Sequence, residues 1–386
     1  MAARQIATSP PLEAVQESHS ALLAEIRSRR GEFSKQQQLD ADIVEALKAI
    51  GVYRALVAKR FGGDELSPAD FLRLIERLSI ADGSVGWVAS FGVSALYLAS
   101  LPETTLRTIY ADGPDLVFAG ALFPPQKAIR TAGGYEVSGR WKFGSGATGA
   151  SLIGVGIKTE DAVSAPLPRM AVMPSDAVII ERNWDVIGLQ GTGSHDLVVN
   201  RVLVPEEWTF VRGGAPTVDA PIYRYPSMAL AAQVLAIVGL GIGRAALDEI
   251  TTMAAASGSI TGAPVLADRA YMQIEIAKAE AALRSARAFF YETTEEAFAT
   301  IEAGDLLPVK QIAMLRLASS HIARVGADAA RTAFTLSGTA GIYESHPLAR
   351  YVQDAMVVVQ HAFLSEGTWQ SAGRILLGLD AIPGFP

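Results

Sequence analysis

Two short stretches carry residues whose types and spacing suit chemistry. The first is 343–370, YESHPLARYVQDAMVVVQHAFLSEGTWQ. Its spacing predicts one helix opening at Pro347, since proline is tolerated in a first turn whose N–H would be unpaired anyway. Arg350 and Asp354 then stand at i and i+4, and His361 follows two turns later on nearly the same face, about 10 Å along the axis. Met356 to Val359 and Ala362 to Leu364 make the wall around His361 apolar. An imidazole in such a wall titrates near neutrality and suits proton transfer; a core histidine satisfied by a carbonyl fits the same pattern. The second stretch is WKFGSG, Trp141 to Gly146, following a β-like run. Gly144 and Gly146 flank Ser145, a place where backbone N–H groups and one hydroxyl can meet a ligand edge. A strand ending in a polar turn is the plain alternative.

Other chemistries are excluded by composition. The chain has no cysteine, which removes disulfides, thiolate metal sites and a thiol nucleophile. Its five histidines (His19, His195, His321, His346, His361) are scattered without an HExxH-like pair, so no metal site is expected. There is no GxSxG, no P-loop and no ordered Ser/His/Asp set. Net charge is −7 without a basic block, which argues against nucleic acid. Charged residues make up only 19% and hydrophobic ones 50%, a balance that predicts surface hidden in an oligomer. The N-terminus MAARQIATSPPLEAV has no apolar core of signal-peptide length. The most apolar run, 227–243, is short for a membrane span, contains Gln233 and is rich in Ala and Gly; a helix buried on all sides is the better reading. A soluble cytoplasmic protein, without membrane attachment, is the expectation.

The elements that must position these residues follow in order. From 12 to 109 the pattern is helical, with a start at Ser67-Pro68-x-Asp70 and a small-residue helix, ADGSVGWVASFGVSALYLASL, carrying Trp87. From about 116 short β-like segments separated by Gly and Pro predict a small antiparallel barrel or sandwich. Beyond Arg224 four long helices with short loops predict an up-and-down bundle, the fourth containing His361. The expected domains are 1–115, 116–223 and 224–386. Gly239-Leu-Gly241-Ile-Gly243 lacks the preceding strand and the GxGxxG spacing of a dinucleotide loop, so close helix packing explains it.

The order helical domain, β domain, four-helix bundle resembles the acyl-CoA dehydrogenase fold, an α+β and mainly α architecture. GYEVSGRWKFGSG, GLQGTGSHDLVVNRVLVPEE and SGTAGIYESHPLARYVQDA carry the likeness, which spans about residues 20 to 375. Within that superfamily the chain resembles the two-component flavin-dependent monooxygenases, which share W-x-F-x-S-G and a last-helix R-x-x-x-D-x-x-x-x-x-x-H matched by Arg350, Asp354 and His361. Dehydrogenases of the commonest type have a glutamate directly after the position of His361; here Ala362 stands there, and Glu366-Gly367-Thr368 comes one helical turn late.

The resemblance implies an oxygenase component that takes reduced flavin (FADH2 or FMNH2) from a separate NAD(P)H-dependent reductase. It would use O2, through a C4a-hydroperoxide, to hydroxylate a small indole- or phenol-like substrate. It implies that Ser145 and the adjoining Gly144 and Gly146 backbone bond the flavin edge. Trp141 and Phe143 would wall the ring, and Thr192 and Ser194 would also face it. His361 would act on the oxygen species or on an acidic substrate proton, and Trp87 and Phe123 would line the substrate pocket. The loop 338–343, with Gly338 and Thr339, would approach a neighbouring subunit's flavin in a homotetramer. The competing readings are an acyl-CoA dehydrogenase with tight FAD and a flavin-binding scaffold without chemistry.

Overall fold

Apolar residues at helical spacing wind the first part of the chain into α1 (Leu12–Gln36), α2 (Ala41–Ala49), α3 (Pro68–Ala81), α4 (Gly83–Ala89), α5 (Ser94–Leu98) and α6 (Glu103–Ile109). The computed structural model describes residues 12–159, 167–256 and 264–382; residues 1–11, most of the N-terminal stretch expected to lack a leader, lie outside them. α3 starts as its sequence directs: Ser67 Oγ accepts from the Asp70 N–H at 3.1 Å, with Pro68 in the first turn. The helix expected through Trp87 is instead interrupted by a 3₁₀ turn, Ser90–Val93, between α4 and α5. Two local causes are visible. Ser90 Oγ bonds back to the Trp87 carbonyl at 2.7 Å, and Gly92 packs so closely that a Cβ there would lie 2.5 Å from the Val52 carbonyl.

Seven strands follow: β1 (Phe118–Thr131), β2 (Gly134–Trp141), β3 (Leu152–Lys158), β4 (Arg169–Pro174), β5 (Ile179–Glu181), β6 (Asp196–Pro205) and β7 (Thr209–Val211). Their order is β5-β6-β2-β1-β3-β4-β7. β1 serves two partners. Phe118 to Ala121 run parallel to β3, whereas Ala128 to Thr131 run antiparallel to β2. The register shifts between Ala121 and Gln126, where Pro124 and Pro125 remove two ladder donors. The sheet is therefore mixed: β1–β3 is parallel where the turn pattern predicted antiparallel pairing throughout. β6 is buried on both faces at Asp196 and Leu197 and opens to solvent from Asn200, which accounts for its irregular alternation.

The last part forms α7 (Ser227–Ala256), α8 (Ala270–Glu302), α9 (Val309–Leu336), α10 (Pro347–Val358) and α11 (Glu366–Leu376). α7 is long and apolar enough to cross a membrane, yet 94% of its apolar window is buried inside the protein. Its glycines are contact points. A Cβ on Gly243 would lie 2.6 Å from the Gly326 carbonyl of α9, and one on Gly326 would run into the Gly239 carbonyl; Gly241 meets Ser79 of α3. Close helix packing thus explains the glycine run, and it joins the N-terminal helices and the bundle into one continuous core, while the sheet keeps its own.

Candidate active site

Three pieces of chain meet at Ser145: the β2–β3 loop, the turn before β6, and α4. The first two are joined by backbone bonds, Gly144 N–H to His195 O and Gly146 N–H to Thr192 O, both 2.9 Å. Gly144 permits this closure, since a Cβ there would lie 2.7 Å from the Leu197 side chain. Gly146 takes φ +71°, open to glycine at little cost. The turn before β6 is held by buried His195, whose Nδ1 accepts from the Asn183 and Trp184 N–H groups at 3.0 and 3.1 Å. Burial lowers the His195 pKa.

The hydroxyls then form a chain. Trp87 Nε1 donates to Ser145 Oγ at 3.3 Å, Ser145 Oγ lies 2.6 Å from Ser194 Oγ, and Ser194 Oγ lies 2.8 Å from Thr192 Oγ1. Thr192 Oγ1 in turn donates to the Leu189 carbonyl at 2.8 Å. Beside this chain Phe143 holds φ +66°, rare for a bulky residue, and presents its ring to solvent at 63% exposure, edge-on to Trp184 at 6.1 Å.

Trp87 also reaches the other half of the site. Its ring lies 5.9 Å from that of His361, which in turn lies 4.9 Å from Phe363. His361 is not within a helix as its sequence predicted. α10 stops at Val358, and His361 caps a short 3₁₀ turn, Ala362–Leu364, its Nδ1 accepting from the Phe363 N–H at 3.2 Å. The run Val357-Val358-Val359 is poor helix sequence because branched side chains crowd the preceding turn, and the histidine offers the backbone an alternative bond. Burial among apolar rings disfavours the imidazolium and lowers its pKa to about 4. The break is backed by Arg316 of α9, 2% exposed, whose guanidinium lies 5.9 Å from the Phe363 ring centre and donates to the Phe363 carbonyl at 3.5 Å.

Because α10 ends early, Arg350 and Asp354 do not share a helical face with His361. They brace the site instead. Arg350 pairs with Asp82 at 3.0 Å, and Asp82 caps α4 by accepting from the Val85 N–H. Asp354 accepts from the Leu189 N–H at 2.5 Å, so one carboxylate anchors the residue on which the hydroxyl chain ends. Burial raises the Asp354 pKa to about 7 against the pull of Arg350.

The structure thus joins Ser145, Thr192, Ser194, Trp87 and His361, with Gly144, Gly146 and Phe143 on the adjoining loop. Trp141 is corrected: it is 0% exposed in the sheet core and donates Nε1 to the Gly156 carbonyl at 2.8 Å, so it supports the loop from below and offers no surface to a ligand. Phe123, 52% exposed at the bend of β1, stands outside the contacts that link Trp87 to Ser145 and His361. Gly338 and Thr339 are exposed beyond the end of α9, outside the contacts at Ser145. Glu366, with a side chain 81% exposed, pairs with Arg324 at 2.5 Å in the first turn of α11. Sequence reasoning missed Asp82, Trp184 and Leu189. Asp82 was signalled by its place before a helix start; the other two carry no local mark.

Comparison with known proteins places the chain in a family. The family described as "Acyl-CoA dehydrogenase, C-terminal domain" matches residues 233–366. An indole-3-acetate monooxygenase from Pseudomonas putida is 56% identical over 93% of this chain and 92% of its own length. Another from Acinetobacter baumannii is 51% identical over 95% of each chain. Among solved structures, 3-HSA hydroxylase from Rhodococcus sp. RHA1 superposes with a TM-score of 0.87 at 23% identity, over 95% of this chain and 97% of that one. XiaF from Streptomyces sp., in complex with FADH2 and glycerol, does so at 0.86 and 22% identity, over 97% and 98%. The chain belongs to the acyl-CoA dehydrogenase superfamily and, within it, to the flavin-dependent monooxygenases.

Proposed function

We propose that this monooxygenase hydroxylates an indole-3-acetate-like heteroaromatic acid, as the oxygenase half of a system whose reduced flavin comes from a separate NAD(P)H-dependent reductase. One observation carries the residue roles: the Trp87 ring touches Ser145 on one side and His361 on the other, so a group bound against Ser145 and a substrate beside His361 share one wall. The names of the relatives support the substrate class.

The residues suit a flavin. Ser145 retains a lone pair beyond its two hydrogen bonds, and Phe143 leaves an aromatic face exposed beside it. When bound, reduced flavin supplies the electrons that activate O2. Ser145 and the Gly144–Gly146 backbone would hold the ring edge and Phe143 would flank it. Thr192 and Ser194 support Ser145 from behind, and Trp141 supports the loop from the sheet core. His361 would present an Nε2–H donor toward substrate or the activated oxygen, and Trp87 and Phe363 would exclude water from that space, with Phe123 closing over it only if a substrate draws it in. The Gly338–Thr339 turn would reach a neighbouring subunit's flavin in a homotetramer built on the C-terminal bundle. The protein would be cytoplasmic, with neither membrane nor nucleic acid as partner. The exposed, ion-paired Glu366 disfavours a dehydrogenase base at that position.

Indole-3-acetate should be hydroxylated when an NAD(P)H-dependent flavin reductase and free FAD or FMN are added, and not without the reductase. Product formation from NADH with the purified chain alone would overturn the two-component reading. Turnover of indole equal to that of indole-3-acetate would overturn the preference for an acid.

A further inference from the structure

The hydroxyl chain at Ser145 has a direction, and the direction has a consequence for the ligand. A carbonyl only accepts, so the 2.8 Å bond between Thr192 Oγ1 and Leu189 O uses the threonine's single hydroxyl proton. Thr192 must therefore accept from Ser194 across 2.8 Å, which uses the Ser194 proton. Ser194 must in turn accept from Ser145 across 2.6 Å, which uses the Ser145 proton. At the head of the chain the Trp87 indole can only donate, and it occupies one lone pair of Ser145 Oγ. All three hydroxyl residues are at least nine-tenths buried, Ser145 at 6%, Thr192 at 2% and Ser194 at 5% exposure, so water does not readily reverse these choices. The Leu189 end is itself pinned, its N–H bound to Asp354. Toward any ligand Ser145 has one lone pair left and no proton to give.

That asymmetry distinguishes two redox states of one cofactor. At its N5 position a reduced isoalloxazine carries a hydrogen and donates; an oxidised one carries a lone pair and accepts. We propose that the N5 edge of the flavin lies against Ser145 and that the one-way chain from Trp87 to Leu189 makes Ser145 a hydrogen-bond acceptor toward it, so that Ser194 and Thr192, acting through Ser145, set the protein's preference for reduced over oxidised flavin. This rests on the flavin reading above and extends it to two positioning residues. It gives the chain a reason to capture flavin after reduction elsewhere and to release it once oxidised: the oxidised ring edge meets a lone pair where it needs a proton.

The test is the ratio of dissociation constants for oxidised and chemically reduced flavin, FAD and FMN each titrated under anaerobic conditions, in the full-length protein. The wild type is expected to favour reduced flavin. In Ser194→Ala the Ser145 proton loses its acceptor and turns to the ligand. In Thr192→Val, close to the same shape, Ser194 donates back to Ser145 with the same result. Both variants should lower the reduced-over-oxidised preference by about five- to tenfold, mainly through tighter binding of oxidised flavin, as expected for one exchanged hydrogen bond. Adding Ser194→Ala to Ser145→Ala should change the ratio no further, because the group through which Ser194 acts is gone. If Ser194→Ala does not fold, Thr192→Val carries the test. A ratio within twofold of wild type in the folded variants, with reduced flavin still bound, would overturn the proposal and leave the flavin reading standing. Failure of the wild type to bind either form would overturn both.

Discussion

The Phe363 backbone N–H points at His361 Nδ1 from 3.2 Å, and that contact decides which imidazole nitrogen carries the proton. An amide can only donate, so Nδ1 accepts and the neutral ring holds its hydrogen on Nε2. His361, whose ring lies 5.9 Å from that of Trp87, is therefore a hydrogen-bond donor at Nε2. Accepting a substrate proton at Nε2 would require the Phe363 contact to break first. That one backbone bond, which exists because the helix ends three residues earlier, favours a donor role over the base role that the sequence left open.

His361→Ala should fold and bind reduced flavin but lose product. Removal of a positioned donor typically costs about 10²–10³ in rate. Single-turnover reaction with reduced flavin, O2 and indole-3-acetate should show hydroxylated product replaced by hydrogen peroxide. Wild-type product yield in the variant would remove His361 from the chemistry.

Glu366→Gln should leave product yield and rate near wild type, since its carboxylate is exposed and paired with Arg324 outside the Trp87–His361 contacts. A surface ion pair of this kind contributes about 0–1 kcal/mol. Loss of activity in this variant with retention in His361→Ala would move the catalytic assignment to the glutamate.

Two shielded groups, half-buried His361 and buried Asp354, should tilt stability against pH in opposite senses. The His361 pKa falls to about 4 in the folded state, from 6.5 unfolded. Between those values the unfolded chain binds a proton that the folded one does not, so this group's contribution is present above 6.5 and is lost as pH falls toward 4. The Asp354 pKa rises from 3.8 to about 7. Its contribution is present below 3.8 and is lost as pH rises through 7, because the folded carboxyl holds a proton that the unfolded one has released. Asp354→Asn keeps an oxygen for the Leu189 N–H and removes only the second slope. Chemical unfolding at a series of pH values should show the variant gaining stability relative to wild type as pH rises from about 4 to 7. Parallel curves would show that Asp354 ionises normally.

Gly326→Ala should destabilise the bundle without touching the site. The new methyl would collide with the Gly239 carbonyl, a backbone atom that moves only if α7 and α9 separate. Overpacking of this kind costs about 1–3 kcal/mol, measurable as a lower denaturant midpoint with an unchanged slope. An unaltered midpoint would mean that the two helices have room to part.

Local rules in the sequence determined much of this protein. Helical periodicity, the Ser67–Pro68–Asp70 start, the β-like run into WKFGSG and the apolar 227–243 segment depend on neighbours a few residues apart, and each was legible for that reason. So was the family likeness, and with it the expectation that Ser145 and His361 belong to the site. The tertiary structure decided what each side chain does. Trp141, in a motif that suggested a flavin wall, is sealed in the sheet core because Gly156, fifteen residues on, offers its indole a carbonyl. Arg350 and Asp354 matched a spacing pattern with His361, but their partners are Asp82 and Leu189, brought near only when α4 and the turn before β6 pack against α10. The break that frees His361 has no proline or glycine to announce it; it depends on a capping bond and on buried Arg316 behind Phe363. The direction of the hydroxyl chain is the extreme case. Three hydroxyls have no intrinsic polarity, and theirs is set by an indole at one end and a carbonyl at the other, groups 102 positions apart in sequence, Trp87 and Leu189, that only the folded chain brings together.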